Sequence, residues 1–385
     1  MEHRKFNKAK NFMSAPKQAT RLFSTVKASG TVELSLTEAP LKDCAENEII
    51  VRVEATPINP SDLAVMFSVS DPSKLTVDNG VLSAPIAQAM QRAAASRVDV
   101  PIPCGNEGAG TVVAAGSSAT AQSMLGKTVA VMAGGMYSTF RKIKTSECIP
   151  FPEGVTAREA ASSFVNPLTA QGFIGTMRLE GHSAIIHTAA ASNLGQMLCK
   201  LCQADGVPLI NIVRKPEQEK ILKDLGATHV INSSSPRFMK DLIAACTELN
   251  ATLAFDATGG GQLANQLLMG MEAAAAANMT EFSAYGSTTH KQVYLYGGLD
   301  RSATTLNRGY GMAWGVGGWL MPNHLQRVGP EAQGKMFARV AQEIRGIFVS
   351  SYNQEISLPE MLSLDAASKY TQQATGLKYL VNPQK

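Results

Sequence analysis

SAIIHTAAASNLGQML at residues 183–198 and PLINIVRK at residues 208–215 form the clearest structural pattern in this chain. In the first stretch an apolar run predicts a short buried strand, and the small residues after it predict a tight turn. A helix is predicted next, because Leu194, Met197, Leu198 and Leu201 recur at helical spacing. The second stretch starts with another apolar run, so the two together predict a βαβ unit with parallel strands.

The turn inside this unit has the character of a phosphate-binding turn. Small residues let an anion approach the backbone, and the start of a helix offers free N–H groups and a positive dipole. The full G-x-G-x-x-G pattern is absent, because Ala189, Ala190 and Ala191 replace the early glycines. On this motif alone, a nucleotide-binding turn and an ordinary βα turn both remain open.

Two basic residues at the end of the second strand favour the nucleotide-binding interpretation. An NAD-preferring unit usually has Asp or Glu at this point, whereas Arg214 and Lys215 would pair with a 2′-phosphate. We therefore predict NADPH as the cofactor. The alternative is that both are solvated loop charges in front of the next helix.

Composition limits the function classes. The chain has 385 residues, of which 45% are hydrophobic and 17% charged, enough for two globular domains. The net charge of +4 comes largely from a basic N-terminal arm, where an unstructured leader is favoured over a targeting segment. Elsewhere along the chain positively and negatively charged residues are mixed, which predicts no nucleic-acid partner. No apolar run reaches the roughly 18 residues of a membrane span, and six scattered cysteines predict reduced thiols in the cytoplasm.

The chain before the βαβ unit predicts a β-rich domain. Short alternating patterns from residue 18 to 53 indicate strands joined by turns, and similar patterns resume at 105–113 and 127–132. Residues 67–103 are less regular, with a helical patch at 86–95. We interpret them as an insertion at the rim of this domain, where a substrate lid often lies.

Beyond residue 215, strands and helices alternate as in a doubly wound parallel sheet. Ligands bind at the carboxyl ends of such strands, which makes Thr258 and Gly298 candidate ligand residues. The tail from residue 352 returns to short strands and one helix. The predicted domains are therefore residues 1–165 with 345–385, and residues 166–344.

Seven short motifs, in this order, resemble those of the medium-chain dehydrogenase/reductase superfamily, in particular its zinc-free quinone oxidoreductases and 2-enoyl thioester reductases. The resemblance implies a Rossmann domain, a GroES-like catalytic domain and a homodimer to which residues 309–320 contribute. The motifs are INPSD at 58–62, GNEG at 105–108, NPLTA at 166–170, the turn at 188–195, IVR at 212–214, YGG at 296–298 and GWL at 318–320.

The ligand chemistry of these motifs predicts no zinc. Zinc alcohol dehydrogenases carry a cysteine where this chain has the loop 60–62, and a histidine where it has Asn106. No four-cysteine cluster occurs either. Without a metal, hydride transfer favours acceptors that are already electrophilic, namely enones, enals, quinones and enoyl thioesters.

The resemblance also assigns site residues. It implies Asn59, Asn166, Thr169, Tyr296 and Gly297 around the nicotinamide, Ser192, Asn193 and Leu194 at the pyrophosphate, Arg214 at the 2′-phosphate, and Lys378 reaching the cofactor from the tail. The thioester reductases have a catalytic tyrosine shortly after the Ser-Asp pair, but residues 63–103 contain no tyrosine. Tyr137 is therefore the candidate proton donor, with a packed strand residue as the alternative.

Three functions remain in competition. The first is an NADPH-dependent reductase of activated double bonds or quinones, with Asn59 and Tyr137 as catalytic residues. The second is a catalytically silent NADPH-binding protein with a regulatory or structural role, suggested by the missing tyrosine. The third is a zinc alcohol dehydrogenase.

Overall fold

A computed structural model of the chain describes residues 16–372 and 376–385. The predictions for the first 15 residues lie outside these ranges. The described chain forms two compact units, one up to Ser163 and again from Ser351 onward, the other from Phe164 to Ser350. The sequence analysis had placed the two domain boundaries after residue 165 and before residue 345. None of the described helices combines the length and apolar character that a membrane crossing needs.

The elements follow one another along the chain. The first unit contains β1 Gln18–Lys27, β2 Thr31–Pro40, β3 Glu48–Pro57, α1 Pro60–Phe67, β4 Thr76–Asp78, β5 Val81–Pro85, α2 Gln91–Ala94, β6 Ile102–Pro103, β7 Gly108–Ala115, α3 Ala119–Ser123, β8 Thr128–Val131, β9 Phe140–Lys144, β10 Cys148–Pro150 and α4 Ala157–Ala160. The second contains α5 Val165–Leu179, β11 Ile185–His187, α6 Asn193–Asp205, β12 Leu209–Val213, α7 Pro216–Asp224, β13 His229–Asn232, α8 Phe238–Leu249, β14 Leu253–Asp256, β15 Gly259–Gly261, α9 Leu263–Ala277, β16 Lys291–Leu295, β17 Asp300–Thr304, β18 Trp314–Gly318 and α10 Met321–Glu343. The tail adds β19 Gln354–Ile356, α11 Leu364–Tyr370 and β20 Tyr379–Val381 to the first unit.

The first unit is built on two sheets. Within the described ranges, one has the order β4-β5-β2-β1-β6, and the other has the order β10-β8-β7-β3-β20-β19 with β9 also paired to β3. Alternation along β1 buries Leu22 and Val26 while their neighbours are more exposed. The tail returns to this unit, because β20 pairs antiparallel with β3.

The structure corrects the interpretation of residues 67–103 as a rim insertion. Within this segment β5 pairs with β2, and β6 pairs with β1, so the segment extends one sheet at both edges. Leu82 and Ala84 of β5 are buried in the core of the unit. The period-2 pattern is short here, because β4 and β5 together span only ten residues around a tight turn, and sequence analysis missed it.

The second unit contains the predicted doubly wound sheet. Its strands are all parallel, in the order β13-β12-β11-β14-β16-β18. All five residues of β12 are buried, as expected for a central parallel strand covered on both faces. The strand order reverses direction between β11 and β14, and ligands of open α/β sheets bind at this switch point.

The strand β18 forms the edge of this sheet farthest from β13. It lies within residues 309–320, which the sequence analysis predicted to contribute to a dimer. The dimer contact stays a prediction.

Candidate functional site

The turn between β11 and α6 has the geometry of a phosphate-binding turn. Ser192 caps α6, and its Oγ accepts the backbone N–H of Gly195 at 3.2 Å. A Cβ on Gly195 would lie 2.1 Å from the carbonyl oxygen of Ala190, so only glycine fits where the helix crosses the turn. The N–H groups of Asn193 and Leu194 precede the first helical hydrogen bond and point out of the helix start. Ser192, Asn193 and Leu194 thus lie together at the start of α6, and a helix start of this kind offers free N–H groups to an anion.

A hydrogen-bond network ties the ends of β11 and β14 at the switch point. The hydroxyl of Thr188 donates to Asp256 Oδ1 at 2.7 Å and accepts the N–H of Ala257 at 2.8 Å. Asp256 also accepts the N–H groups of Thr258 and Gly259. Sequence analysis did not single out Thr188 or Asp256, although a polar residue at the end of an apolar strand was the available signal.

Arg214 and Lys215 follow β12 and are both exposed. The backbone N–H of Arg214 donates to Gln218 Oε1 at 3.0 Å, which fixes the chain at the start of α7. Hydrogen bonds from Ser302, and to a lesser degree the charge of Arg214, hold the pKa of Asp300 below its usual range. The guanidinium of Arg214 therefore lies in a polar, accessible region where it can meet an anionic ligand.

Among the other predicted residues of the second unit, Tyr296 contacts a buried histidine. The hydroxyl of Tyr296 and His187 Nε2 are 2.7 Å apart, and burial lowers the pKa of His187 to about 3, which keeps it neutral. Thr169 donates its hydroxyl to the carbonyl of Val165, and Asn166 is partly buried on the same helix, α5. A Cβ on Gly297 would lie 2.6 Å from the carbonyl of Ala257, whereas Gly298 has open space around it.

In the first unit, buried carboxylates orient Asn59. Its backbone N–H donates to Asp62 Oδ2 at 2.8 Å, and its side-chain amide donates to Glu107 Oε1 at 2.8 Å. Asp62 Oδ1 accepts the N–H of Asn106 at 2.7 Å. Burial raises the pKa of Asp62 to about 7 despite these hydrogen bonds. Asn59 is 2% exposed, so its side chain is held in a single orientation.

The geometry argues against the predicted catalytic role of Tyr137. This side chain is fully buried, and its hydroxyl donates to the carbonyl of Pro57 at 3.0 Å. Burial raises its pKa well above the ordinary value. The residue lies in the loop before β9, packed in the core with Leu22 and Cys104. A phenol with no exposed surface does not reach a ligand, and we do not carry Tyr137 forward as a donor.

Lys378, predicted to contact the cofactor from the tail, is part of a second polar group in the first unit. Its Nζ donates to Ser162 Oγ at 3.0 Å and lies 5.4 Å from the ring centroid of Tyr352. The hydroxyls of Ser162 and Tyr352 are 2.8 Å apart. Sequence analysis missed Ser162 and Tyr352, since 190 positions separate them and neither belongs to a recognisable motif.

The donor set of the first unit does not fit a catalytic zinc ion. Zinc needs about three nitrogen, sulfur or oxygen ligands that converge on one point. The carboxylates of Asp62 and Glu107 already accept hydrogen bonds from Asn59, and the side-chain amide of Asn106 donates to Ser61 Oγ at 3.0 Å. Across the described residues, no group of three or more His, Cys, Asp or Glu side chains converges in this way.

Comparison with known proteins agrees with this architecture. The alcohol dehydrogenase GroES-like domain family matches residues 45–177, and the zinc-binding dehydrogenase family matches residues 194–287. The mitochondrial enoyl-[acyl-carrier-protein] reductase of Xenopus tropicalis is 29% identical over 257 residues, which cover 62% of this chain and 66% of the relative. A quinone oxidoreductase of Pseudomonas aeruginosa is 29% identical over 163 residues, covering 42% of this chain and 50% of that protein.

The matched regions thus span between half and two thirds of these curated relatives. Among solved structures, Escherichia coli quinone oxidoreductase complexed with NADPH superposes with a TM-score of 0.65 at 20% identity, covering 94% of this chain and all of that one. At this identity the likeness concerns the fold. The family matches support a medium-chain dehydrogenase/reductase, and the relatives that the chain resembles are quinone oxidoreductases and enoyl reductases.

Proposed function

We propose that this chain is an NADPH-dependent reductase that transfers hydride to an activated C=C bond or a quinone, without zinc. The observation that carries the proposal is the switch point of the second unit. There the Ser192-capped start of α6 offers free N–H groups to an anion, and the hydrogen bond between Thr188 and Asp256 ties the ends of β11 and β14 together. The relatives named enoyl reductase and quinone oxidoreductase support this class of acceptor.

NADPH is proposed over NADH because of the charge that follows β12. Arg214 and Lys215 are exposed at the position where NAD-preferring units carry an acid. A planar guanidinium can form two parallel hydrogen bonds to a phosphate, which gives both affinity and orientation.

The residues of the chain bind and orient, and the bound nucleotide supplies the hydride. The start of α6 stabilises the pyrophosphate, while Arg214 pairs with the 2′-phosphate. In the first unit, Asp62 and Glu107 hold Asn59 in one orientation, as a residue that positions a ligand requires. Hydrogen-bond donors stabilise the enolate oxygen that develops on the acceptor.

The chemistry of the donor set supports zinc independence. Without a metal to polarise a simple ketone or alcohol, the acceptor must already be electrophilic. Conjugated carbonyl compounds and quinones meet this condition, which is why we propose them as substrates.

The nucleotide preference is tested by titrating NADPH and NADH into the wild type and Arg214→Ala while following nicotinamide fluorescence. We expect the wild type to prefer NADPH and the variant to lose about tenfold or more of its NADPH affinity, because a charged hydrogen bond contributes about 1.5–3 kcal/mol. NADH affinity should change little. Arg237→Ala, on the surface of the same unit, is the matched control. Equal affinities in the wild type would contradict the cofactor proposal.

The activity is tested by NADPH oxidation with a panel of quinones, enones and enoyl thioesters, with metal analysis of the same sample. Turnover with substoichiometric zinc is the expected result. Tight NADPH binding without turnover of any acceptor would instead favour a catalytically silent nucleotide-binding protein. Stoichiometric zinc would return the zinc alcohol dehydrogenase to consideration.

A further inference from the structure

His187 and Tyr296 form a hydrogen-bonded pair at the carboxyl end of the parallel sheet in the second unit. His187 is the last residue of β11 and is fully buried, whereas Tyr296 directly follows β16 and is partly exposed. The distance between His187 Nε2 and Tyr296 Oη is 2.7 Å. Because β14 lies between β11 and β16, the phenol reaches across one strand to the end of β11.

Aromatic packing holds the two rings of this pair in place. The ring centroid of Phe173, on α5, lies 5.8 Å from that of His187 and 4.9 Å from that of Tyr296. The rings of His187 and Tyr296 are inclined by only 20° to each other. The backbone N–H of Tyr296 also donates to the carbonyl of Asp256 at 3.0 Å. With the rings fixed in this way, what remains to be decided in the pair is the position of its hydrogens.

Two hydrogens belong to the pair, but only one hydrogen bond joins its members. Burial lowers the pKa of His187 to about 3, so the neutral imidazole carries one N–H and the phenol of Tyr296 carries one O–H. If the N–H is on Nδ1, it points into the core, where Nδ1 has no hydrogen-bond partner among the described residues. If the N–H is on Nε2, it donates to Tyr296 Oη, and the phenolic hydrogen is directed elsewhere.

The second arrangement has the lower free energy. Buried N–H groups without an acceptor are rarer in folded proteins than acceptors with an unused lone pair. Protonation of Nε2 leaves only a lone pair unused on Nδ1 and moves the remaining donor to the partly exposed Tyr296. Within the described parts of the chain, the hydroxyl of Tyr296 has no second hydrogen-bond partner. Its O–H is therefore available to a ligand at this end of the sheet.

The place of Tyr296 in the sheet indicates which part of a dinucleotide its hydroxyl would meet. A dinucleotide lies across the switch point, with one half over the strands on each side. Here the switch point lies between β11 and β14. Arg214, the proposed partner of the 2′-phosphate, follows β12 on one side, and Tyr296 follows β16 on the other. The adenosine half then belongs to the side of Arg214, and the nicotinamide half to the side of Tyr296.

We propose that Tyr296 donates its hydroxyl hydrogen to the carboxamide oxygen of the nicotinamide, and that His187 is the positioning residue that holds the phenol in this donor arrangement. This inference rests on the cofactor of the proposed function. The resemblance placed Tyr296 near the nicotinamide but gave its hydroxyl no role. A hydrogen bond to the carboxamide orients the nicotinamide ring, which decides the face that is presented to an acceptor.

Calorimetric titration with two ligands separates this role from a structural one. NADPH contains the nicotinamide, whereas 2′-phospho-ADP-ribose is the corresponding nucleotide without it. Tyr296→Phe should bind NADPH about two- to tenfold more weakly than the wild type, the usual contribution of one neutral hydrogen bond. Its affinity for 2′-phospho-ADP-ribose should stay unchanged. Tyr294→Phe is the matched control, because Tyr294 lies on β16 and its hydroxyl bonds to Glu180 at 3.0 Å; this variant should bind both ligands as the wild type does.

The tautomer of His187 is tested by NMR of the wild-type chain labelled with nitrogen-15 in its six histidines. The signal of His187 is identified by its loss in His187→Gln. We expect a neutral ring that is protonated on Nε2. Protonation on Nδ1 would overturn the proposal, because Tyr296 would then donate to the histidine and have no hydrogen left for the nucleotide.

Two binding results would also overturn the proposal. Equal NADPH affinities of the wild type and Tyr296→Phe would show that the hydroxyl forms no hydrogen bond to the cofactor. Equal losses of affinity for both ligands would show that Tyr296 supports the structure of the switch point and not the nicotinamide.

Failure of the proposed function gives a different set of results. A wild type that binds neither ligand lacks the cofactor, and the assignment of Tyr296 falls with it. A wild type that binds NADPH and reduces no acceptor contradicts the reductase, whereas the role of Tyr296 is still decided by the comparison of the two ligands.

Discussion

Asp62 has no exposed surface, and two backbone N–H groups donate to its carboxylate. Burial still dominates, since its pKa is raised to about 7 while Glu107 adds a like charge nearby. Its function in the fold is to hold Asn59 and Asn106 in place at the start of α1. A side chain that shapes the site thus makes folding sensitive to pH.

The stability of the protein should therefore contain a contribution from Asp62 that is lost as pH rises. The folded carboxyl keeps its proton up to about pH 7, whereas the unfolded one releases it near pH 4, so between these values the folded state binds more protons. The free energy of unfolding should fall by an amount on the order of 4 kcal/mol across this pH window. Urea unfolding at several pH values measures it: from pH 4 to pH 7 the wild type should lose stability relative to Asp62→Asn.

The exposed Asp365 on α11 provides the control for this experiment. Asp365→Asn should follow the wild type across the same pH window. Parallel pH profiles for the wild type and Asp62→Asn would contradict the raised pKa.

Single residues differ in how far sequence could predict them. Ser192, Arg214 and Lys215 could be proposed as site residues because each lies at a fixed place in a local βαβ pattern. The pairs Thr188 with Asp256 and Ser162 with Tyr352 were not, because they are joined only by the folded chain. Tyr137 shows the converse: it was chosen because no other tyrosine lay near the loop, and only the structure shows its hydroxyl bonded to Pro57.

Among the elements, α6 connects the packing of the second unit to its proposed function. The helix buries Leu194, Met197, Leu198 and Leu201 and begins where the anion would bind. Gly195 allows this approach, because the carbonyl of Ala190 occupies the space of any Cβ. Sequence predicted the helix from its period, but it could not show which glycine is required by packing.

Gly195→Ala should lower both stability and NADPH affinity. The added methyl group must displace the backbone of the turn, which costs about 1–3 kcal/mol, and the start of α6 then moves away from its anion-binding position. Gly334→Ala is the matched control, since Gly334 lies in α10 of the same unit with no atom within 4 Å of the added Cβ. Thermal unfolding and fluorescence titration measure the two effects, and equal behaviour of both variants would contradict the packing argument.

Longer elements were easier to predict than short ones. The strands and helices from β11 to β14 were found in the correct order, because parallel strands are continuous apolar runs and their helices are amphipathic. The strands β4 and β5 were missed, because three and five residues give too short a pattern to distinguish from a loop. The core residues Leu82 and Ala84 therefore fell within the segment that was interpreted as a rim insertion.

For the chain as a unit, the sequence predicted two domains of different character and a discontinuous first domain. The structure describes two compact units divided after Ser163 and Ser350. The order of motifs, more than any one of them, led to the superfamily, and the family matches confirm it. The acceptor could not be predicted to the same degree, because the shape of a pocket depends on loops that no motif describes.

Transfer of a deuterium label tests the proposed activity at the level of the reaction itself. The purified chain is incubated with an enone and NADPH that carries deuterium at the transferable position of the nicotinamide ring, and the product is examined by mass spectrometry and NMR. The account predicts one deuterium per product molecule, located on the β-carbon. A product without deuterium, or no product from protein shown to bind NADPH, would contradict hydride transfer to an activated double bond.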